Sequence, residues 1–224
     1  MRLIATIAVI ALAACSAPET SDAQTGSGDE IRSPIHAPAW IRVVGVEEGD
    51  VLNIRSEPDA SSDIVGTFLA TEGRIEVVET RSVGGQTWGL VSTGEQGGWI
   101  NLAYAEATDM VMIADSPVPL GTFCAGTEPF WNLAFSPTEA TWSSFETEGE
   151  TYEITESESA ASRPYPWMFA MRGFGLALVT PEQCSDGMSD IPYAWSVLIV
   201  GHDEGGHVLY EGCCRLETLE EPSE

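Results

Sequence analysis

From Ile41 onward the chain is a succession of short runs in which apolar and polar residues alternate, each closed by Gly, Pro, Asn or Asp. A period of two sends successive side chains to opposite faces of a strand, and no stretch carries the 3.6-residue period of an amphipathic helix. Strands are therefore predicted at 41–46, 51–55, 64–69, 74–79, 87–91 and 98–100. Gly84-Gly85 supplies a tight hairpin turn, and Pro58, with no N–H to donate, ends the ladder before it. A second series follows at 131–135, 139–142, 151–155, 167–171, 176–179, 194–200 and 208–211. The fold class is all-β: a small barrel over 41–106, a linker over 107–119 stiffened by Ser116-Pro117-Val118-Pro119, a second β domain (barrel or sandwich) over 120–216, and an acidic tail over 217–224. Within the second series, 145–159 holds six glutamates and no basic residue, with Tyr152 and Ile154 alternating among them. That pattern reads as a solvated edge strand, where charge opposes edge-to-edge aggregation. It has no Asp-rich loop of calcium-ligand spacing.

The first fifteen residues are Met1-Arg2, an apolar run from Leu3 to Ala14, and Cys15. One positive charge and about a dozen apolar residues make a secretory signal, too short for the roughly twenty residues of a membrane span. Leu12-Ala13-Ala14-Cys15 resembles a bacterial lipobox, which implies a signal peptide over 1–14 and a diacylglycerol on Cys15. Several acyl chains on one residue anchor stably where a single chain does not. With Ser16 next, the resemblance implies the periplasmic face of the outer membrane. Residues 15–40, rich in Ser, Ala, Pro, Gly, Thr and acids, read as the anchored tether.

Charge narrows the partners. Lys+Arg number 9, all of them Arg, against 35 Asp+Glu, a net charge of −26. Such a surface repels phosphate backbones and anionic headgroups, which excludes nucleic acid and leaves the lipid as the route to a membrane.

Leu52-Asn53-Ile54-Arg55-Ser56-Glu57-Pro58, Ser61-Ser62-Asp63-Ile64-Val65-Gly66, Trp88-Gly89-Leu90-Val91 and Gly98-Trp99-Ile100 with Tyr104 carry a family signature. They resemble bacterial SH3 domains across residues 41–106, with Glu57 in place of the usual Gly and Ala105 in place of Leu. The resemblance implies binding of peptidoglycan or cell-wall peptides. Trp88, Trp99 and Tyr104 would form an aromatic shelf, and Asn53 and Arg55 would offer hydrogen bonds. The competing reading puts both tryptophans in the barrel core, since a small barrel has few other large apolar residues.

Three further words stand in the second domain: Cys124-Ala125-Gly126-Thr127-Glu128-Pro129-Phe130-Trp131; Cys184-Ser185-Asp186-Gly187-Met188-Ser189-Asp190 with Pro192-Tyr193; and Gly212-Cys213-Cys214. They resemble an uncharacterised family of envelope lipoproteins, with Pro192-Tyr193 inverted from that family's order, and no activity comes with the resemblance. Glu128, Trp131, Asp186, Ser189 and Asp190 are its candidate motif residues.

Cys15 apart, four cysteines in an exported chain favour disulfides. A vicinal Cys213–Cys214 bond needs a strained ring, so Cys124 and Cys184 are each expected to meet one of that pair, in either order. A redox-active vicinal pair is the alternative. Glu128 with Asp186 and Asp190 has the residue types for glycoside chemistry, or the aspartates simply fix a turn. Glu128, beside Pro129-Phe130-Trp131, is a candidate for a partly buried carboxylate with a raised pKa. His202 and His207 flank a turn-forming stretch and match no zinc spacing, and no nucleophile-elbow or phosphate-loop motif occurs. No cofactor or metal is expected. The expectation is a non-enzymatic envelope lipoprotein that holds the wall through its first barrel, its second barrel binding a ligand or an envelope protein. The alternative is an enzyme or inhibitor of wall turnover in the second domain.

The anchor has a direct test. Cys15→Ser should shift the protein from the membrane fraction to a soluble or uncleaved form, measured by fractionation and immunoblotting; unchanged fractionation refutes the anchor.

Overall fold

The computed structural model describes residues 34–203 and 206–217; the stretch read as a signal peptide, Cys15, most of the stretch read as a tether and all but Glu217 of the acidic tail lie outside them. The N-terminal strands are β1 (Ala39–Val43), β2 (Val51–Arg55), β3 (Ile64–Leu69), β4 (Ile75–Val77), β5 (Glu79–Val83), β6 (Gln86–Ser92), β7 (Gly97–Asn101) and β8 (Ala105–Ala107). They form a three-stranded sheet, β4-β1-β8, and a five-stranded sheet, β3-β2-β7-β6-β5. Ile41, Val43, Ile54, Val77, Val91 and Ile100 fill one core. The alternation predicts most of these strands directly, including the hairpin at Gly84-Gly85, which joins β5 to β6.

Two boundaries differ from expectation. The first strand begins at Ala39, and both Ala39 and Trp40 are buried in it, so the ordered fold reaches back into the stretch read as tether. The run at 74–79 is two strands. The chain breaks at Val78 and passes from the β1 ladder to the β6 ladder, because Val78 turns its side chain to the second domain's core.

The second half is a closed barrel of β9 (Thr122–Thr127), β10 (Phe130–Phe135), β11 (Glu139–Ser144), β12 (Glu150–Ser159), β13 (Trp167–Met171), β14 (Gly175–Thr180), β15 (Trp195–Asp203) and β16 (Gly206–Leu216). The barrel closes where β16 pairs with β9, a strand the alternation did not reveal because its Cys-Ala-Gly-Thr composition carries little contrast. The acidic strand β12 has no free edge, since β11 and β13 pair on its two sides. Glu153, Glu156 and Glu158 occupy the outward half of the alternation, while Glu150, opposite the buried Trp142, shares the face of Tyr152 and Ile154. Eight strands enclose an interior that side chains can fill. Here Trp131, Leu133, Phe135, Trp142, Phe169 and Ile199 do so, with Trp131 stacked on Trp142 at 5.1 Å.

One end of the barrel rests on the N-terminal sheets. The segment read as a semi-rigid joint is packed there: Ile113 and Val118 are fully buried in the barrel's core. Ala114 N–H donates to Pro137 O. Val78 and Leu90 reach the same core from the N-terminal side. Glu76 of β4 also faces this end and accepts the Leu216 N–H at 3.0 Å. Burial drives its carboxyl pKa from 4.5 up to about 7, against the lowering by Leu216 N–H, Trp195 and Arg215. Glu76 Oε1 and the Trp195 indole N–H are buried without a full hydrogen bond.

An acid whose folded pKa exceeds its unfolded one takes up a proton on folding. The contribution of Glu76 to stability is therefore fully present below about 4.5 and is lost as pH rises toward about 7. Glu76→Gln should remove that loss, raising stability at about pH 8 by up to ~3 kcal/mol and flattening the slope between the two pKa values. Denaturant unfolding of both proteins across pH checks it.

Candidate functional site

The three cysteine-bearing words, far apart in sequence, meet on one side of the barrel. On β16 successive side chains alternate inward and outward, so Cys213 and Cys214 face opposite sides of the wall. Cys214 lies opposite Cys124 of β9 and bonds to it inside the barrel, both sulfurs fully buried. Cys213 faces out and bonds Cys184, pinning the loop between β14 and β15 against the outer wall. The vicinal pair is thus divided between two bonds, which settles the order left open above. Their sequence separations are 90 and 29. On chain-entropy grounds they contribute about 4.6 and about 3.6 kcal/mol respectively.

The glycines of these words serve Trp131. A Cβ at Gly126 would stand 2.1 Å from Trp131 Nε1, and one at Gly212 would stand 2.3 Å from Ala125 O and 2.7 Å from the indole. Only glycine lets the indole lie flat on both strands. Trp131 is accordingly a core residue, 2% exposed.

The pinned loop is organised around Asp186. Its carboxylate accepts the Met188 and Ser189 N–H groups at 2.9 and 2.8 Å, the Ser189 hydroxyl at 2.8 Å and the Tyr193 hydroxyl at 2.9 Å. Partial burial alone would raise its pKa; the hydrogen bonds outweigh it and bring the pKa down to about 2. The Thr127 hydroxyl donates to Asp186 O at 3.2 Å, joining the first word to the second. Ser189 is therefore part of the loop's scaffold. Asp190 is exposed and contributes its backbone carbonyl, which accepts the Gly97 N–H of β7 at 3.0 Å. Glu128 is exposed in the β9–β10 turn, so the partly buried carboxylate read from Pro129-Phe130-Trp131 does not form. The three acids do not share a site: Asp186 is held inside its loop while Glu128 and Asp190 point to solvent. His202 and His207 pair across the β15–β16 hairpin, exposed, with rings 4.2 Å apart. Among the described residues no cluster of His, Cys, Asp and Glu could hold a metal.

Between the pinned loop and the wall lies a cleft of about 450 Å³. Gly126 and Thr127, Cys184 to Asp186, and Gly212 and Cys213 line it from the three words, joined by Leu178, Leu198, Glu182 and Glu211. This cleft is the feature the sequence could not reveal, because strands β14 and β15 carry none of the motif residues.

In the N-terminal sheets, register places Arg55 opposite Trp99, Trp99 opposite Leu90, and Trp88 opposite Arg81 and Asn101, all on the face of the five-stranded sheet away from its core; Asn53, two residues before Arg55, shares it. Both tryptophans are buried, Trp88 at 3% and Trp99 at 6%. They are not in the barrel core, as the competing reading had it. Their face is turned to the second half: Leu90 packs on that core, Gln183 Nε2 donates to Glu79 at 2.6 Å, and Pro192 lies against Gly97. The Arg81 guanidinium covers Trp99 at 4.4 Å. Arg55 donates to Ser62 O at 2.7 Å. Tyr104 keeps a 44% exposed ring but stands beside Gly45, where its carbonyl accepts the Val44 N–H at the end of β1. A single three-ring shelf is not assembled.

No protein family, curated protein or solved structure matches the chain.

Gly212→Ala should be among the costliest single-methyl changes in the molecule. With backbone and indole both in the way, the loss should be at least about 3 kcal/mol by denaturant titration. Gly73→Ala, where a Cβ meets only Arg42 Cβ at 3.9 Å, should cost far less and serves as the control.

Proposed function

We propose that this chain is a non-enzymatic, lipid-anchored envelope protein, held by Cys15 at the periplasmic face of the outer membrane. It binds peptidoglycan or cell-wall peptides through its N-terminal, SH3-like sheets, and the barrel serves as an accessory binding module. The observation that carries a binding role is the commitment of the motif chemistry to structure. The four thiols are consumed in two disulfides, and Asp186 is saturated by four hydrogen bonds. Paired disulfides also suit an exported chain, since thiols stay reduced in the cytosol. The wall contact falls to Tyr104, the exposed ring of the three, with the half-buried Asn53 and Arg55 as secondary candidates. Trp88 and Trp99 are buried, which leaves them no exposed ring to offer a ligand.

Lipid and wall contacts on one chain raise each other's occupancy by effective concentration, so a millimolar wall contact suffices. Sedimentation of the full chain with purified sacculi should show binding at low salt that weakens as salt rises. Tyr104→Ala should lose it with an unchanged melting curve, whereas Trp88→Ala should destabilise the fold by roughly 3–5 kcal/mol. Protein left wholly in the supernatant at low salt overturns the proposal.

A further inference from the structure

The outer wall of β13 to β16 carries two adjacent apolar rows. Register places Met168, Leu178 and Leu198 side by side in one, and Ala170, Leu176, Val200 and Leu209 in the next. Leu209 is 65% exposed and Leu176 39%. An outward strand face on a barrel this acidic would ordinarily be polar, and a contiguous apolar patch on a protein surface marks an interaction site. The first row runs into the 450 Å³ cleft, whose lining includes Leu178 and Leu198.

Acids border the rows on both sides. Glu158 and Glu156 of β12 stand opposite Met168 and Ala170. At the other side Glu211 stands opposite Leu198. Glu182, which accepts from the Ser196 hydroxyl, lines the cleft at the foot of the rows.

We infer that this wall is a docking surface for a segment of another protein that presents an apolar face bordered by lysine or arginine. The apolar side chains of the partner cover the two rows, and a cationic group enters the cleft toward Glu182 and Glu211. Charge complementarity selects this occupant. A second copy of the chain would set its own Glu156, Glu158 and Glu211 against a like border, on a protein of net charge −26. An anionic lipid surface meets the same repulsion. The inference concerns the barrel alone and stands whether or not the N-terminal sheets bind the wall.

Fluorescence anisotropy with the full chain and three labelled synthetic peptides tests it: a Leu/Lys amphipathic peptide, a Lys/Ser peptide of equal charge, and a Leu/Glu peptide. The Leu/Lys peptide should bind at least tenfold more tightly than the other two. Leu176→Ser with Leu209→Ser leaves every charge in place and should weaken that binding about tenfold; the melting temperature of this double variant reports its fold. Glu182→Gln with Glu211→Gln should weaken it independently and reduce its salt dependence, so the inference stays testable if the leucine variant misfolds. Equal binding of the Leu/Lys and Lys/Ser peptides, or affinity untouched by both double variants, overturns it. A concentration-dependent dimer abolished by the leucine variant would assign the wall to a second copy instead. Flotation with phosphatidylglycerol vesicles lost in that variant would assign it to lipid. Sedimentation with sacculi should be unchanged in both double variants, which separates this outcome from the wall-binding one.

Discussion

Two adjacent cysteines on one strand cannot face the same way, and the second half of this protein is arranged around that constraint. Strand β16 points Cys214 into the barrel and Cys213 out of it. The inner bond locks the seam where β16 meets β9 and closes the barrel. The outer bond holds the loop carrying Asp186 flat against the wall. Removing either cysteine would leave a different part of the architecture untied: the core seam in one case, the cleft's outer lip in the other. The indole of Trp131 completes the seam from within, resting on Gly126 and Gly212.

The loop pinned outside the barrel also couples the two halves. Asp186 gathers its turn, Asp190 lends a carbonyl to β7, and Pro192 packs on Gly97. From the other side Glu76 accepts the Leu216 N–H at the end of β16. The joint thus combines apolar contact with a buried carboxylate whose ionisation is opposed by its surroundings. Burying that group is costly, and the hydrogen bond it accepts from Leu216 ties β4 to the end of the barrel's last strand in return. Trp88 and Trp99 lie buried on the face of the five-stranded sheet away from its core, the same face from which Leu90 reaches the barrel's core.

Much of the architecture is legible in the alternation. Strands at Val51–Arg55, Ile64–Leu69 and Trp167–Met171 begin and end where the polarity pattern and turn residues put them. Legibility fails where neighbours outvote local pattern. Strand β9 has little polarity contrast because Gly126 must leave room for an indole. Strand β12 looks like an edge because its outward residues are all glutamate, threonine or serine, although both its ladders are occupied. The stretch around Pro117 has a linker's composition, yet Ile113 and Val118 are drawn into a core that lies beyond it in sequence. Glu128 sits among apolar neighbours in sequence and among solvent in space.

The sequence by itself determined the fold class, because a period of two with frequent turn residues admits only sheets, and it favoured bonds from Cys124 and Cys184 to the 213/214 pair while leaving a vicinal redox pair open. It also determined the residue types of the three words. Tertiary structure decided which cysteine meets which, because inward and outward positions exist only once β16 is laid beside β9. It decided that Trp88 and Trp99 are buried on the face of their sheet away from its core, since burial depends on what is brought against a face. It decided too that Leu178 and Leu198 share a cleft with Glu182 and Glu211, because lateral neighbours in a barrel are set by register between strands, which no single strand records.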